Sequence, residues 1–305
     1  MKWCRLVCSL ILVALSLLLI ACTGNVSVID QASRVPSCTA IGQTWISPID
    51  GAALVCVPAG EFLMGAADDD ALARDDEKPQ HRVYLDAYWI GRTEVTNANF
   101  ARCMAADACR PKIYDITATT YIPYAVHPDY RDYPAVLNEA DAAAAYCQWV
   151  GGRLPTEAEW EKAARGTDNR RFPWGNEIDC AQAAYYDCTA TTTAPADKNG
   201  PRCGYSYSCQ TVRVDSHSAG ASPYGALNMA GNVWEWVADW YSPNYYAVSP
   251  MNNPIGPADG QYRVLRGGGS KSFEQDLRVT ARAVGRPNHF FDSQIGFRCA
   301  FDAPK

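Results

Sequence analysis

The fold is decided by a short Trp-rich segment that carries one carboxylate, Gly231-Asn232-Val233-Trp234-Glu235-Trp236. A glutamate between two tryptophans needs a compensating partner if the segment is buried, because an unpaired charge is costly in an apolar interior. Six further motifs flank this segment, four before it and two after it. They are Val57-Pro58-Ala59-Gly60-Glu61-Phe62-Leu63-Met64-Gly65, Glu94-Val95-Thr96-Asn97, Gly152-Arg153-Leu154-Pro155-Thr156-Glu157-Ala158-Glu159-Trp160-Glu161, Phe172-Pro173-Trp174-Gly175-Asn176, Arg266-Gly267-Gly268 and Gly296-Phe297-Arg298-Cys299.

The composition is that of a folded soluble protein. Of the 305 residues, 48% are hydrophobic and 20% are charged, which is far too much apolar side chain for a disordered chain. The formal net charge is −6 and no basic block is present. We therefore expect no nucleic-acid partner. No internal repeat or Gly/Ser linker divides residues 49–303, which predicts a single domain.

Hydrophobic patterning predicts a small sheet with two helices. Alternation indicates strands at 55–65 and 82–90, and shorter strand-like runs occur at 262–266, 277–284 and 295–301. A helix running from Ala142 to Val150 can be capped by Asn138 and is stopped by two glycines. A capping box from Thr156 to Glu159 opens a second helix that ends at Gly166. Few helices, a small sheet and much coil indicate the α+β class.

Together, the seven motifs resemble those of the formylglycine-generating enzyme (sulfatase-modifying factor) domain family, over roughly residues 49–303. The resemblance implies a C-type-lectin-like α+β fold with little regular secondary structure. It also implies relatives of varied activity. These include sulfatase activation, ergothioneine biosynthesis in fusion with an iron-binding domain, and lectin-like ligand display.

The oxidase that names the family converts a sulfatase cysteine to formylglycine with copper held by two cysteines. The resemblance places that pair between Arg266-Gly267-Gly268 and the Gly-Phe-Arg-Cys motif. Here residues 269–282 contain no cysteine, and none occurs between Cys209 and Cys299. Serine does not bind Cu(I) as a soft thiolate does. We therefore expect neither copper nor formylglycine-generating oxidase activity.

Thirteen cysteines predict a disulfide-rich domain in an oxidising compartment. Without Cys4, Cys8 and Cys22, which belong to the leader and its processing site, ten remain. Short loops favour four local pairs: Cys103 with Cys109, Cys180 with Cys188, Cys203 with Cys209 and Cys38 with Cys56. Ten cysteines permit many other pairings, so the connectivity stays open. The alternative of a metal site is weak because no C-x-x-C motif occurs and the four histidines are isolated. The family resemblance separately implies a disulfide between Cys147 and Cys299.

A calcium site is also implied by the resemblance. In the family pattern, Asn228 and Glu235 supply side-chain oxygens, and Gly231 and Val233 supply backbone carbonyls. Hard oxygen donors at close spacing suit Ca²⁺, which would neutralise Glu235 within its Trp-rich segment. The alternative is a glutamate that is hydrogen-bonded to backbone amides without a metal.

The groove that holds substrate in the oxidase would be lined by residues from 269 onward. We expect five side chains there: Ser270, Ser272, Arg278, Arg282 and His289. Arginines in such a groove can bind a carboxylate or sulfate with both arms. The alternative is that Arg278 and Arg282 pair with core carboxylates such as Glu235 or Asp239. No catalytic triad spacing accompanies the serines, and a lone histidine in a loop is more often solvated.

The N-terminus predicts secretion and lipid attachment. Residues 1–21 combine a short basic start with an apolar run that is too short for a typical membrane span. The sequence Leu19-Ile20-Ala21-Cys22 resembles the bacterial lipobox, which implies that Cys22 is lipidated; an ordinary signal or a transmembrane anchor is the alternative. Residues 22–48 are polar and aperiodic, which predicts a flexible tether. We expect localisation at the cell envelope, in either the inner or the outer membrane.

Two functional hypotheses follow from the sequence. The first is a cell-envelope lipoprotein whose domain has become a binding or accessory module for an unknown ligand or protein partner, with no catalytic residue assigned. The second is an enzyme of different chemistry in the same groove, using Ser272, Arg282 or His289 with iron or another cofactor. Loops on a shared fold vary freely, so the fold alone does not choose between them.

Overall fold

Ten short strands form three small sheets in the described part of the chain. The four-stranded sheet A has the order β1-β2-β5-β10, β3 pairs with β4, and a second four-stranded sheet has the order β8-β7-β6-β9. All pairings are antiparallel except that of β6 with β9. The strands are β1 Thr44–Ile46, β2 Ala53–Val57, β3 Gly60–Met64, β4 His81–Leu85, β5 Tyr88–Gly91, β6 Trp234–Trp240, β7 Arg263–Arg266, β8 Arg282–Gly285, β9 Ile295–Gly296 and β10 Ala300–Asp302.

The computed structural model describes residues 35–110, 128–137, 139–191, 211–286 and 295–305. Residues 37–305 form one compact unit. Several predicted features lie outside the described residues: the leader, Cys22, Asn138, the Cys203–Cys209 pair and His289. Within the described ranges, no helix has the length and apolar character needed to cross a bilayer.

Four α-helices accompany the sheets in these ranges: α1 Asn97–Ala105, α2 Ala140–Trp149, α3 Glu157–Arg165 and α4 Tyr186–Thr191. The predicted capping box of α3 is confirmed, because Thr156 Oγ1 accepts from the Glu159 amide at 3.2 Å and Glu159 Oε2 accepts from the Thr156 amide at 2.8 Å. Helix α3 ends at Gly166, whose φ of 76° favours glycine. Every residue of α3 is buried, and its Trp160 joins the main apolar core.

The α+β class with little regular secondary structure is confirmed, while several element boundaries differ from prediction. The predicted strand 55–65 is two strands that break at Pro58-Ala59, where proline cannot donate to a ladder. The predicted strand 82–90 likewise divides between β4 and β5. The run 277–284 is mostly irregular, because a 3₁₀ turn ends at Leu277 and the strand starts only at Arg282.

The predicted tether 22–48 extends too far toward the C-terminus. Strand β1 pairs with β2 in register Thr44↔Val55, and Cys38 is bonded to Cys56 of β2. Trp45 packs edge-on against Trp89 and Phe301, with ring centroids 6.0 and 5.2 Å apart. These contacts place residues from 37 onward in the folded unit, so a tether is limited to residues before Ser37.

Four disulfides confirm the predicted pairings that lie within the described residues. They join Cys38 to Cys56, Cys103 to Cys109, Cys180 to Cys188 and Cys147 to Cys299. The last bond spans a sequence separation of 152 residues and fastens α2 to the segment before β10. The other three close loops with sequence separations between 6 and 18 residues.

The stabilisation by each disulfide should follow its loop length. In the loop-entropy relation, removing Cys147–Cys299 with two alanines costs about 5 kcal/mol, while removing Cys103–Cys109 in the same way costs about 2 kcal/mol. Urea unfolding of the two double variants measures this difference. Equal costs, or a larger cost for the short loop, would contradict the prediction.

Candidate functional site

A tight turn before β6 brings two asparagine side chains onto one carboxylate. Asn228 and Asn232 adopt φ of 52° and 64°, and Gly231 has φ 86°. A Cβ at Gly231 would lie 2.4 Å from the Ala184 carbonyl oxygen, so only glycine fits. In this conformation, Asn228 Nδ2 donates to Glu94 Oε2 at 3.0 Å and Asn232 Nδ2 donates to Glu94 Oε1 at 2.8 Å.

Glu235 finds its partner in the Gly-Phe-Arg-Cys motif. Arg298 grips the Glu235 carboxylate with two bonds, Nη2 to Oε1 at 2.6 Å and Nε to Oε2 at 2.7 Å. Trp160 of α3 donates to Glu235 Oε2 at 2.9 Å. All three side chains are fully buried or nearly so. The glutamate is therefore paired with an arginine and does not rely on backbone amides.

When Glu94 is ionised, the cluster holds more negative than positive charge. Glu94 and Glu235 both interact with Arg298, so one guanidinium faces two buried carboxylates. Burial raises the pKa of Glu94 to about 7; the Arg298 charge opposes this rise and the Glu235 charge adds to it. Either a proton or a bound cation can relieve the excess charge.

The four predicted calcium ligands lie in the segment that carries this cluster. Asn228, Gly231, Val233 and Glu235 all lie in the turn and at the start of β6 and are buried. Both Glu235 oxygens are already engaged, whereas Glu94, which was not predicted, is the less compensated carboxylate. Within the described ranges, no three acidic, histidine or cysteine side chains group as a metal site, so a cation here would depend on amide and carbonyl oxygens.

The predicted groove serines are buried inside the loop that follows β7. The Ser270 amide donates to the Asn232 carbonyl at 2.9 Å, and the side chain is fully buried. Ser272 Oγ accepts from the Gly269 amide at 2.9 Å, which closes the loop on itself. Both serines therefore stabilise the loop and do not face a groove, which corrects the expectation from sequence.

Arg278 is also structural and does not face a ligand. Its guanidinium binds both oxygens of Glu77, Nη2 to Oε1 at 2.7 Å and Nη1 to Oε2 at 2.8 Å. Thr280 Oγ1 donates to the same carboxylate at 2.7 Å. Although burial favours the neutral acid, the bonds and charge of Arg278 hold the pKa of Glu77 below its usual range. A core carboxylate was the right kind of partner for Arg278, but Glu235 and Asp239 were the wrong residues.

Arg282 also forms a buried ion pair, with Glu157 as its partner. It binds Glu157 at the start of α3 through Nε–Oε1 at 2.7 Å and Nη2–Oε2 at 3.0 Å. Arg266 joins from β7, 3.1 Å from Glu157 Oε1 and 2.7 Å from Glu161 Oε2. Although burial favours the neutral acid, Arg282 and Arg266 lower the pKa of Glu157. Asp239 accepts from the Glu157 amide at 2.7 Å, and burial followed by the Glu157 charge raises its pKa to about 8.

All eight cysteines in the described residues are in disulfides, and residues 211–286 contain none. The strand and loop where the oxidase pair is expected therefore offer hydroxyl, amide and guanidinium groups. Hydroxyls and amides are poor ligands for Cu(I) compared with thiolates.

Sequence reasoning missed the residues that complete these clusters: Glu77, Glu94, Glu161 and Arg298. Three of them stand inside motifs quoted above, next to glycine or apolar residues. A charged residue in such a context needs a buried partner, and this was the available signal. Glu77 lies in an acidic stretch, Asp75-Asp76-Glu77, with no such signal.

The fold, the motif order and the Cys147–Cys299 bond define an α+β domain of the formylglycine-generating-enzyme type. The chain belongs to the FGE-sulfatase family, described as the sulfatase-modifying factor enzyme 1-like domain, which matches residues 47–303. A formylglycine-generating enzyme of Streptomyces coelicolor is 35% identical over 287 residues, with 82% of this chain and 89% of that protein covered. A hercynine oxygenase of Mycolicibacterium smegmatis is 32% identical, with 70% of this chain and 53% of that protein covered.

A serine/threonine-protein kinase, pkn1 of Chlamydia caviae, is 35% identical over 259 residues, with 81% of this chain covered. The chain spans only 37% of that kinase. Among solved structures, PvdO from Pseudomonas aeruginosa matches with a TM-score of 0.67 and 26% identity, covering 87% of this chain and 99% of that one. CarF matches with a TM-score of 0.51 and 20% identity, covering 84% of this chain and 99% of that one, and supports the fold alone.

Proposed function

We propose that this chain is a cell-envelope lipoprotein whose domain binds a ligand or protein partner and does not carry out copper-dependent cysteine oxidation. The observation that supports it is the chemistry of the segment after β7. No thiol lies in residues 211–286, and Arg278 and Arg282 are used in buried ion pairs. Cu(I) needs thiolates, so the segment lacks the ligands that the oxidase reaction requires.

The oxidase activity is tested directly. Purified protein, supplied with copper and a cysteine-containing sulfatase peptide, should leave the peptide unchanged by mass spectrometry, because residues 211–286 contain no thiolate pair to hold the metal. The Streptomyces coelicolor relative serves as the active control. Conversion of the peptide, or one tightly bound copper per chain, would contradict the proposal. If copper binds, the C203A/C209A variant shows whether the two cysteines outside the described residues supply it.

An enzyme of different chemistry is the second candidate, and the similarity to a protein named hercynine oxygenase favours it. His289 is the candidate base from the sequence and lies outside the described residues. One mole of tightly bound iron per mole of protein, or turnover that disappears in H289A, would support this candidate over the binding module.

As a second part of this proposal, calcium binds beside Glu94, Asn228 and Glu235 and stabilises the domain. The supporting observation is the excess of buried carboxylate over guanidinium, with Asn228 and Asn232 beside Glu94. The donors would be Asn228, Glu94, Glu235 and the carbonyls of Gly231 and Val233. A cation bound there replaces the proton that burial otherwise favours on Glu94.

Calcium should raise the thermal unfolding midpoint of the wild type. Ca²⁺ at 100 times its Kd stabilises the folded state by about 2.7 kcal/mol, because only that state binds it. Glu94→Gln keeps the shape but removes the charge, so the calcium-dependent shift should disappear. Asp132→Asn, at a half-exposed carboxylate, is the matched control and should keep the shift. A wild type whose unfolding midpoint is insensitive to calcium would contradict the calcium site.

Lipid attachment at Cys22 is the remaining part of the proposal, and the lipobox-like Leu19-Ile20-Ala21-Cys22 supports it. In bacteria fed labelled palmitate, the wild type should carry label and sediment with membranes. Cys22→Ser should lose both properties, while Cys4→Ser in the leader should retain them. Label or membrane association that persists in Cys22→Ser would refute attachment at this residue.

A further inference from the structure

The domain has a cavity of about 570 Å³, and neither the two predicted groove serines nor Arg278 and Arg282 line it. Its walls come from the β4–β5 turn, helix α2, the segment 153–159, the loop 253–255 and residues 302–305, together with Ala238 of β6 and Arg263 of β7. This volume is within the range of small-molecule pockets, roughly 300–1,000 Å³. No residue of 266–286 lines it, so it is separate from the described residues of the predicted groove.

The cavity has a continuous apolar side. Leu85, Ala144, Leu154 and Pro254 line it, and Ile255 stands at its rim with 72% of its surface exposed. The loop that carries Ile255 is fixed, because the Asp86 amide donates to Asn253 Oδ1 at 2.8 Å and Asn253 Nδ2 donates to Asp86 Oδ2 at 3.2 Å. The apolar wall is therefore built into the fold and gains burial if a hydrocarbon group fills the cavity.

Of the three cations among the described lining residues, two are already paired with carboxylates. Arg153 is bonded to Glu159 at 2.6 Å and to Asp302 at 2.6 Å, and Lys305 pairs with Asp86 at 3.0 Å. These contacts leave Arg263 as the remaining cation of the lining.

Arg263 is held in place without a direct ion pair among the described residues. Its guanidinium lies 3.8 Å above the centre of the Trp240 ring, and Nη1 donates to the Ala238 carbonyl. Among the residues that the structure describes, no carboxylate lies within ion-pair distance of it; burial lowers its pKa, while the more distant charges of Asp141 and Asp239 oppose that decrease. A partly desolvated guanidinium with unused donors favours a planar anion that accepts two hydrogen bonds.

We propose that this cavity binds a small amphiphilic carboxylate, with its headgroup on Arg263 and its hydrocarbon part along Ile255, Pro254 and Leu154. A monoanion fits better than a phosphate, because four carboxylates also line the cavity and repel a second negative charge: Asp86, Asp141, Glu159 and Asp302. This site is independent of the lipid anchor and of the missing copper ligands.

Octanoate is the test ligand, and calorimetric titration at constant ionic strength is the measurement. We expect one octanoate to bind per chain, and octanol and octylammonium to bind at least tenfold more weakly, because a charge-assisted bidentate contact contributes on the order of tenfold or more. Arg263→Met should weaken octanoate binding at least tenfold. Arg263→Lys keeps the positive charge but loses the planar guanidinium that donates two hydrogen bonds. Its affinity for octanoate should therefore lie between those of the wild type and Arg263→Met.

Arg286→Met is the matched control, because Arg286 also lies over an aromatic ring, 5.6 Å from the centre of Tyr262, but does not line the cavity. It should bind octanoate like the wild type. If the Arg263 variants fail to fold, Ala144→Leu fills the cavity from α2 without touching Arg263 and should also abolish binding. Octanoate binding that is absent, equal to that of octanol, or unchanged in Arg263→Met and Ala144→Leu would overturn the proposal.

Discussion

The structure depends on the neutralisation of charges that helix α3 carries into the core. All nine residues of this helix are buried, and five of them are ionisable: Glu157, Glu159, Glu161, Lys162 and Arg165. A buried charge without a partner costs several kcal/mol, and removing one partner of a buried pair typically costs about 3–5 kcal/mol. The surrounding strands must therefore present counter-charges or carbonyl groups at fixed positions along α3. With so little regular sheet, these contacts do much to position the elements.

Each side of α3 meets a different element through these contacts. Lys162 donates to the Pro58 and Gly60 carbonyls, both at 2.9 Å, and burial lowers its pKa to about 8. Arg165 reaches the carbonyls of Leu63 and Gly65. On the other side, Arg266 and Arg282 stand directly opposite each other on β7 and β8. Two like charges in that position repel, and Glu157 lies between them and offsets the repulsion.

The sequence predicts local features of this fold better than the partners of its buried charges. The capping box of α3, its end at Gly166 and the short-range disulfides depend on residues that are close in sequence. The partners of Arg278 and Arg282 do not, because Glu77 is 201 positions and Glu157 is 125 positions away. Three-dimensional proximity over such distances has no periodic signal in one sequence. The Cys147–Cys299 bond was predictable only because the family motifs place both ends.

The two arginines of β7 have different roles because of strand geometry. One is used in core ion pairs, and the other keeps hydrogen-bond donors that a ligand can use. Side chains alternate between the faces of a strand, so Arg263 and Arg266, three positions apart, point to opposite faces. Arg266 meets two glutamates of α3 and is fully buried. Arg263 meets Trp240 and the cavity wall on the other face, where the charges of Asp141 and Asp239 act on it but neither forms an ion pair with it. The residue type is the same at the two positions but the burial differs, because Arg266 is fully buried and Arg263 is only partly buried. The face of the strand decides which arginine holds the core together and which one retains unused hydrogen-bond donors.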